Sequence, residues 1–561
     1  MRSEKETGGR RPETGTREGA QQTAASLSDS PSASGTYSLK PTAYSLIIWT
    51  ALMTLPLLAL SGLTPAERRG KQVYLRGTSA SETEVTAVMG GSAVEVPASV
   101  LPCGSCHGPD GRGRPEGGVR PTNIQWEALT KPYGVRQEGG REHPPYTLPT
   151  LKRAVSMGID PAANPLHMAM PRYRMTLEDM DDLLAYLQKL GHDQDPGISA
   201  ESLRIGTLLP PSGHMEKLGQ VIEGVLSAYF EDLNAQGGIY NRRLELVSHQ
   251  LPSDPGQAQE AVEQFLDDQQ VFALAGAYMA GYEEAVAAAA QAAEVPLLGP
   301  FTLDPQLGFP LNRQVFYLLA GLCDQGRVAV DFMRQRHAKD PPPGLILHSA
   351  EPRFEAAAQA VRQQARKSAW KLQIRAMPPQ ARQFPALGQE FSSGGIEMVF
   401  FLGRANQAHS LLAAAELSNW HPQIVSVGSD AVPALLQAPS GFKDRIFLTF
   451  PTLPTDRKAS GKDLRSRLAS RSQVASSHLA AQYTALAAAQ LLKEGLKRAG
   501  RELTRENLIQ SLEGLYQHET GFTPLISYGP NRRTGARGAY IVSLDLDQKS
   551  LTPIGGWREL R

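Results

Sequence analysis

The sequence predicts a multidomain protein in which a small all-α domain precedes a larger, two-lobed α/β domain. Three observations favour this fold class. Two amphipathic helices, each preceded by a capping residue, bracket residues 64–191. A polar linker with two glycines and a proline follows at 191–197. Beyond the linker, apolar runs alternate with helical stretches, which is typical of parallel sheets covered by helices on both faces.

The composition favours ordinary globular domains. The chain has 561 residues, of which 41% are hydrophobic and 20% charged, so it has enough length for more than one core. A net charge of +1 gives no reason to expect a nucleic-acid partner. Residues 1–43 differ from the rest because they nearly lack large apolar side chains, and we expect a disordered polar leader there.

Residues 44–63 form an apolar segment about as long as the minimum for crossing a bilayer, and 45–63 carry no charge. A buried core helix is disfavoured because the segment has no polar face. A cleaved signal sequence and a retained membrane anchor both stay open. Ala59 and Ser61 suit a cleavage site, whereas the long polar leader is unusual for a signal peptide. Either interpretation predicts export, to the periplasm or to an anchored position on the inner membrane.

Residues 64–191 contain two helix starts that can be predicted from their capping residues. The first is the capping box 64–67, which has Pro65 at the first helical position. The second begins after Thr176, continues with apolar residues at helical spacing, and is expected to stop at Gly191.

Residues 103–107 read C-G-S-C-H, the pattern that accepts a covalently attached c-type haem. Two thioether bonds need two thiols about one helical turn apart, as Cys103 and Cys106 are, and His107 then projects towards the iron. With 3 Cys and 12 His in the chain, about 0.0003 accidental matches are expected. A zinc site is disfavoured because the only other cysteine is Cys323. We expect one haem c with His107 as an axial ligand.

The second axial ligand is expected to be Met170. A thioether is a common partner for an electron-transfer iron, and Pro171 fixes the backbone beside this methionine. The residues that remain as alternatives are Met168, Met175, His143 and His167.

These stretches together resemble the class I cytochrome c family. The matching residues are 70–74, 103–108, the glycine-rich 111–118, 146–158, 170–173 and 185–187. The resemblance implies that the first and last helices cross near Gly70 and that Met170 is the distal ligand. Residues 79–101 are longer than a compact member of the family needs. A shield over the haem edge and a docking loop are alternatives for this segment, and a tolerated surface insertion is favoured.

The second domain is predicted from alternating apolar and helical stretches. The expected strands are 204–209, 244–247, 271–275, 344–347, 398–402 and 424–427, and the expected helices are 218–233, 258–267, 283–293 and 354–367. About 360 residues of this pattern suggest two lobes. Ligands of open parallel sheets bind beyond the carboxyl ends of the strands. The loops at those ends are 209–213, 276–281, 299–304, 348–354, 402–404 and 428–430.

The order of motifs in this domain is similar to that of type I periplasmic solute-binding proteins, in particular the branched-chain amino acid and amide binders of ABC transporters. The matching stretches are 205–206, 211–213, 234–244, 276–300, 315–316, 526–533 and 538–541. The resemblance implies two lobes joined by three crossovers that hinge shut on a small ligand. It therefore implies a small-molecule ligand and an ABC permease as a partner.

By this resemblance, the ligand carboxylate should meet a serine hydroxyl in the loop 278–281, but neither Ala280 nor Gly281 supplies one. Thr302 keeps a second expected hydroxyl. Asp430 could hold an ammonium group, and two arginines add positive charge. The candidate ligand-binding residues are Tyr278, Phe301, Thr302, Arg353, Phe354, Arg404 and Asp430. We expect a small polar, aromatic or amino-acid-like ligand.

The sequence therefore predicts a periplasmic electron carrier whose haem exchanges electrons with a redox partner protein, coupled to a solute-binding domain. The alternative is the substrate-binding component of an ABC uptake transporter, with the cytochrome as an accessory module. We do not expect an enzyme, because a second C-x-x-C-H is absent from the sequence and a Met-ligated iron has no open position for substrate.

Overall fold

The computed structural model describes residues 63–560, except for 90–93, 114, 116–117, 137–140 and 472–476. The predicted leader at 1–43 and the apolar segment at 44–63, apart from Leu63, lie outside the described residues. None of the helices in the described ranges combines the length and the apolar character that a membrane span requires.

The first domain has a helical core that carries two small sheets. Its helices are α1 (Pro65–Arg76), α2 (Cys103–His107), α3 (Trp126–Leu129), α4 (Leu148–Met157) and α5 (Leu177–Leu187). Its strands are β1 (Thr86–Met89), β2 (Val94–Pro97), β3 (Val135–Arg136), β4 (Glu142–His143) and β5 (Arg172–Arg174).

The two helices that bracket this domain start where the sequence predicts. Thr64 Oγ1 accepts a hydrogen bond from the Glu67 amide, and the Glu67 carboxylate accepts one from the Thr64 amide, which completes the capping box of α1. Thr176 Oγ1 likewise accepts the Asp179 amide and begins α5. However, α5 ends at Leu187, four positions before the predicted stop at Gly191, which lies in a following turn at φ +86°.

Helices α1 and α5 cross in close contact at Gly70. A Cβ atom on Gly70 would lie 2.0 Å from the Asp182 carbonyl oxygen and 2.9 Å from the Tyr186 Cβ atom. The crossing is also fixed by Arg69, which donates two hydrogen bonds to the Asp182 carboxylate over 2.6 and 2.9 Å. Only glycine fits at this position, as the resemblance implied.

The inserted segment 79–101 builds a sheet that an all-α domain does not include. Strand β1 pairs antiparallel with β2 and also with β5, so that the sheet has the order β2-β1-β5. The β-branched residues of the two inserted strands favour this extended conformation.

The second domain consists of two α/β lobes. Its helices are α6 (Glu216–Ala235), α7 (Ala258–Gln269), α8 (Glu283–Ala292), α9 (Leu322–Arg336), α10 (Pro352–Lys367), α11 (Phe384–Ser393), α12 (Ala405–Leu417), α13 (Val432–Leu435), α14 (Ala459–Arg471), α15 (Leu479–Ala499) and α16 (Arg505–Glu513). Its strands are β6 (Ser202–Leu209), β7 (Arg243–Gln250), β8 (Ala273–Ala275), β9 (Leu297–Leu298), β10 (Val315–Leu319), β11 (Gly344–His348), β12 (Leu372–Ala376), β13 (Met398–Leu402), β14 (Gln423–Ser426), β15 (Ile446–Phe450), β16 (Thr534–Ala536), β17 (Gly538–Asp545), β18 (Ser550–Pro553) and β19 (Arg558–Glu559).

Each lobe is built on one sheet. The sheet of the first lobe has the order β16-β10-β9-β8-β6-β7, and all its pairs are parallel. The sheet of the second lobe has the order β12-β11-β13-β14-β15-β17-β18, with β19 paired to β17, and it becomes antiparallel from β17 onwards. The chain passes between the sheets at 319–322, 450–459 and 536–538, which gives the three crossovers that the resemblance implied.

The linker between the domains is packed against the first lobe. Lys71 Nζ of α1 lies 2.9 Å from Asp193 Oδ2 and 3.1 Å from Asp195 Oδ1, while Asp195 also accepts the Arg505 amide. The Arg505 guanidinium donates to the carbonyls of Val271, Phe272 and Ala293. Because Phe272 immediately precedes β8, the first domain is attached at the amino-terminal ends of the first-lobe strands.

Candidate functional site

A cavity of about 750 Å³ lies in the first domain, within the range of roughly 300–1,000 Å³ that is usual for cofactor sites. Its wall includes Tyr74, Met89, Leu101, Cys103, Cys106, His107, Thr122, Arg141, His143, Tyr146, His167, Met170, Leu183 and Leu187. The cavity therefore brings both cysteines of the C-x-x-C-H motif together with a histidine and a methionine. This donor set and this volume fit a covalently attached haem.

The proximal side of the cavity is formed by the short helix α2. His107 Nδ1 lies 3.0 Å from the Thr122 carbonyl oxygen. This contact suits a ring protonated at Nδ1, which leaves Nε2 with its lone pair for a metal. Burial lowers the pKa of His107 below its ordinary value, so that the neutral, ligating form is favoured. The hydroxyl of Tyr74 donates to the Gly108 carbonyl over 2.6 Å and fixes the end of α2 against α1.

Met170 also lines the cavity, on a loop that is held by the side chains that follow it. The Arg172 guanidinium donates to the Met170 carbonyl and, over 3.1 Å, to the Leu166 carbonyl. Tyr173 donates to the Leu101 carbonyl over 2.7 Å, which ties this loop to the segment just before Cys103. The loop that carries Met170 is therefore held on both sides of this residue.

The cavity separates the alternatives for the second axial ligand into two groups. Met168 is 66% exposed and Met175 packs against the domain core, and neither is part of the cavity wall. His143 and His167 do line it. His143 Nδ1 contacts the Pro144 carbonyl oxygen at 2.8 Å, and His167 Nδ1 accepts the Ala169 amide at 3.2 Å.

Sequence reasoning missed one methionine of this cavity. Met89, the last residue of β1, is half-buried and lines the wall. It lies in the insertion that was interpreted as a tolerated surface loop. The signal that points to it is the extended, β-branched character of residues 85–88, which predicts a strand that needs a partner.

A second cavity, of about 250 Å³, lies in the first lobe of the α/β domain. It is lined by Tyr278, Ala280, Pro300, Phe301, Thr302, Leu303, Tyr317, Leu318, Leu319 and Thr484. Except for Thr484, which lies on α15, these residues follow or end strands β8, β9 and β10, so the cavity lies at the carboxyl ends of the strands, where the sequence places a ligand. Three of the candidate ligand-binding residues, Tyr278, Phe301 and Thr302, are in this wall.

The hydroxyl of Thr302 already has a partner in the same lobe. Thr302 Oγ1 donates to Glu283 Oε1 over 2.8 Å, and the Gly281 amide donates to Glu283 Oε2 over 2.8 Å. Burial raises the pKa of Glu283 above its ordinary value. Glu283 was not among the candidates, because the first residue of a helix is an ordinary place for a glutamate.

Three of the second-lobe candidates form one charged network. Arg353 Nη2 lies 2.7 Å from Asp430 Oδ2, and Arg404 donates to both oxygens of Glu351 over 2.7 and 2.9 Å. Glu351 Oε2 also lies 3.4 Å from Arg353 Nε, and the hydrogen bonds from Arg404 lower the pKa of Glu351. Sequence reasoning found both arginines and Asp430 and missed the glutamate that joins them. Burial raises the pKa of Asp304, on the first-lobe loop, above its ordinary value, and the charge of Arg353 opposes part of that rise.

Phe354 is expected from the sequence to cover an apolar part of the ligand, but the structure places it elsewhere. Its side chain is fully buried in the core of the second lobe, below Arg353, whose guanidinium carbon lies 4.4 Å from the ring centre. The position is the third of α10, and its side chain turns inwards to pack on the sheet. Phe354 therefore supports Arg353 from behind and does not face the cleft.

Two family models match the chain. Residues 100–191 match a cytochrome c model, and residues 202–550 match a periplasmic binding protein model. A search of the curated proteins found no match.

Solved structures of proteins from ABC transporters are similar to this chain. A fatty acid ABC transporter substrate-binding protein from Thermomonospora curvata has 17% identity and a TM-score of 0.50, with 65% of this chain and 95% of that chain covered. A branched-chain amino acid ABC transporter protein from Thermus thermophilus with bound valine has 15% identity and a TM-score of 0.51, covering 64% and 97%. At this identity the likeness establishes the fold. The periplasmic binding protein model matches more than half of this chain. The chain therefore belongs to the periplasmic binding proteins and carries a cytochrome c domain in front of the solute-binding domain.

Proposed function

We propose that this protein is a periplasmic c-type cytochrome that transfers single electrons through one covalently attached haem, coupled to a domain that binds a small polar or amino-acid-like ligand. The observation that carries the proposal is the single cavity that contains Cys103, Cys106, His107 and Met170. A haem bound there supplies a reversible one-electron couple.

The residues of the cavity would each have a separate role towards the haem. Cys103 and Cys106 would hold it through thioether bonds, and His107 and Met170 would occupy the two axial positions. The Thr122 carbonyl orients the His107 ring, and Arg172 holds the loop of Met170. Because His107 and Met170 would both hold the iron, the site would suit electron transfer and not substrate turnover.

In the second domain, the cleft offers two different walls to a ligand. The first-lobe wall is mainly aromatic and aliphatic, with the Thr302 hydroxyl engaged by Glu283. The second-lobe wall carries Arg353 and Asp430, which form an ion pair with each other. A polar group of the ligand would have to compete with this pair to bind either side chain. This combination supports a ligand with an apolar body and a polar end.

The ligand cavity and the attachment point of the cytochrome domain lie at opposite ends of the first-lobe strands. The cytochrome domain is attached at the amino-terminal ends of the strands through Asp195 and Arg505, whereas the ligand cavity is at their carboxyl ends. Ligand binding would therefore affect the haem through the intervening lobe or through a docked redox partner, without direct contact.

The proposal is tested on full-length protein produced with the machinery for c-type haem attachment. We expect a pyridine haemochrome spectrum of c-type haem at one haem per chain, and loss of covalent haem in Cys103→Ser/Cys106→Ser. A mature, exported protein without haem would overturn the electron-carrier proposal. Coupling is tested by titrating the haem potential and the rate of partner reduction with and without ligand; identical curves at saturation would reject it.

An uptake receptor that delivers its solute to an ABC permease is the second candidate. It is supported by the two-lobed fold with three crossovers, which it shares with substrate-binding proteins of ABC transporters. Here the cytochrome would be an accessory module. Deletion of the gene should then abolish uptake of the bound solute, and complementation with Cys103→Ser/Cys106→Ser should restore it. Uptake that survives the deletion would eliminate this candidate.

A further inference from the structure

We propose that Met89 is a second methionine in contact with the haem, on the side of Met170, and that the end of strand β1 that carries it shields this side from water. The inference rests on the proposed attachment of haem in this cavity. It gives the insertion at 79–101 a defined role in setting the properties of the haem.

The strand register places Met89 beside Met170. In the antiparallel pairing of β1 with β5, Ala87 is opposite Tyr173 and Val88 is opposite Arg172. Continuing the register by one residue brings Met89 opposite Pro171, the residue directly after Met170. Both methionines also belong to the wall of the same cavity. Two thioether side chains therefore enter this cavity from neighbouring backbone segments.

The hairpin is an integral part of the domain, so the position of Met89 is determined by packing. Val85, Ala87 and Ala98 are buried in the domain core. The Ala98 amide donates to the Val85 carbonyl over 2.9 Å, and a Cβ atom on Gly77 would lie 2.2 Å from the Ala98 carbonyl oxygen. These contacts fix the base of the hairpin against the end of α1.

A half-buried methionine at this position has a predictable effect on the iron. Its side chain is apolar and adaptable, so it excludes water from the cavity without adding a charge. The ferric haem carries one more positive charge than the ferrous haem, and a drier surrounding disfavours that charge. Met89 should therefore raise the reduction potential and hinder small external ligands that compete for the position of Met170.

The test uses full-length, haem-loaded protein and three variants. Met89→Ala removes the side chain, Met89→Leu keeps its apolar volume, and Met168→Ala is the matched control because Met168 is 66% exposed and outside the cavity wall. Two quantities are measured: the reduction potential by spectroelectrochemical titration, and the affinity of the ferric haem for imidazole.

We expect Met89→Ala to have a lower reduction potential and a several-fold higher affinity for imidazole, while Met89→Leu and Met168→Ala stay close to the wild type. The low-spin spectrum of Met89→Ala should be retained, since Met170 remains. Haem-loaded Met89→Ala with wild-type potential and affinity would overturn this inference alone. If Met89→Leu matches Met89→Ala, shielding by apolar volume is wrong. A wild-type protein without covalent haem would instead overturn the proposed function.

Discussion

Lys71 and Asp195 form an ion pair that joins helix α1 to the interdomain linker, with 3.1 Å between Lys71 Nζ and Asp195 Oδ1. Asp195 is buried and its carboxylate also accepts the backbone amide of Arg505 in the first lobe. One carboxylate therefore contacts both domains.

Replacing Asp195 with Asn should destabilise the attachment of the two domains. The change leaves the largely buried Lys71 with Asp193 as its remaining anionic partner, so the cost should stay below the roughly 3 kcal/mol of leaving a buried charge unpaired. We expect a lower unfolding temperature of the cytochrome domain in the full-length protein, measured by haem absorbance. Asp181→Asn is the matched control, because its contact with Lys152 is exposed. Equal unfolding temperatures for the two variants would contradict the prediction.

The same carboxylate predicts a dependence of stability on pH. Burial alone would raise the pKa of Asp195, but the charges of Lys71 and Arg505 lower it below its ordinary value of about 3.9. A depressed pKa contributes stability that is fully present above the unfolded pKa and is lost as the pH falls through the folded pKa. Unfolding temperatures of wild type and Asp195→Asn should therefore differ by a constant amount above about pH 5 and converge at lower pH. A difference that persists unchanged in acid would refute this account.

Replacing Met170 with Ala should give a high-spin, ligand-accessible haem with an altered potential, since the distal thioether is lost. Absorption and electron paramagnetic resonance spectra of the ferric protein are the measurements. His143→Ala and His167→Ala are the controls, because both histidines line the same cavity and should leave the spectrum unchanged. A low-spin spectrum that survives in Met170→Ala would show that another residue is the ligand.

Replacing Glu283 with Ala should change which ligands the cleft accepts. The carboxylate of Glu283 occupies two donors, the Thr302 hydroxyl and the Gly281 amide, that would otherwise be free for the carboxylate of a ligand. We expect the variant to bind pentanoate, a carboxylate with an apolar body, about tenfold more tightly than the wild type, equivalent to about 1.4 kcal/mol, by isothermal titration calorimetry. Glu284→Ala, an exposed neighbour on the same helix, serves as the control. If Glu283→Ala and the wild type bind pentanoate equally, these donors do not select the ligand.

Local patterns predicted much of this structure. The capping residues Thr64 and Thr176 marked the helix starts because their hydrogen bonds involve neighbouring residues only. The haem motif was also predicted from local sequence, because Cys103, Cys106 and His107 lie within five consecutive residues. The strand at 398–402 was predicted with its observed bounds, because a fully buried parallel strand is a continuous apolar run.

The features that the sequence did not predict depend on contacts between distant residues. Met89 lines the haem cavity because its strand pairs with residues more than 80 positions away. Glu351 connects two arginines that are about 50 positions apart, and nothing in its local sequence indicates this. Phe354 was expected to face the cleft because it lies at a strand–helix junction, but the direction of its side chain is set by the rotation of α10 on the sheet.

The attachment of the cytochrome domain to the first lobe, through Asp195 and Arg505, has a consequence for how a redox enzyme would recognise this protein. The second lobe is joined to the rest of the chain through three crossovers, whereas the haem domain stays fixed to the base of the first lobe. Any rotation of the second lobe would alter the outline of the molecule while leaving the surroundings of the iron unchanged. An electron donor or acceptor that touches both bodies would then sense solute occupancy as a change of shape.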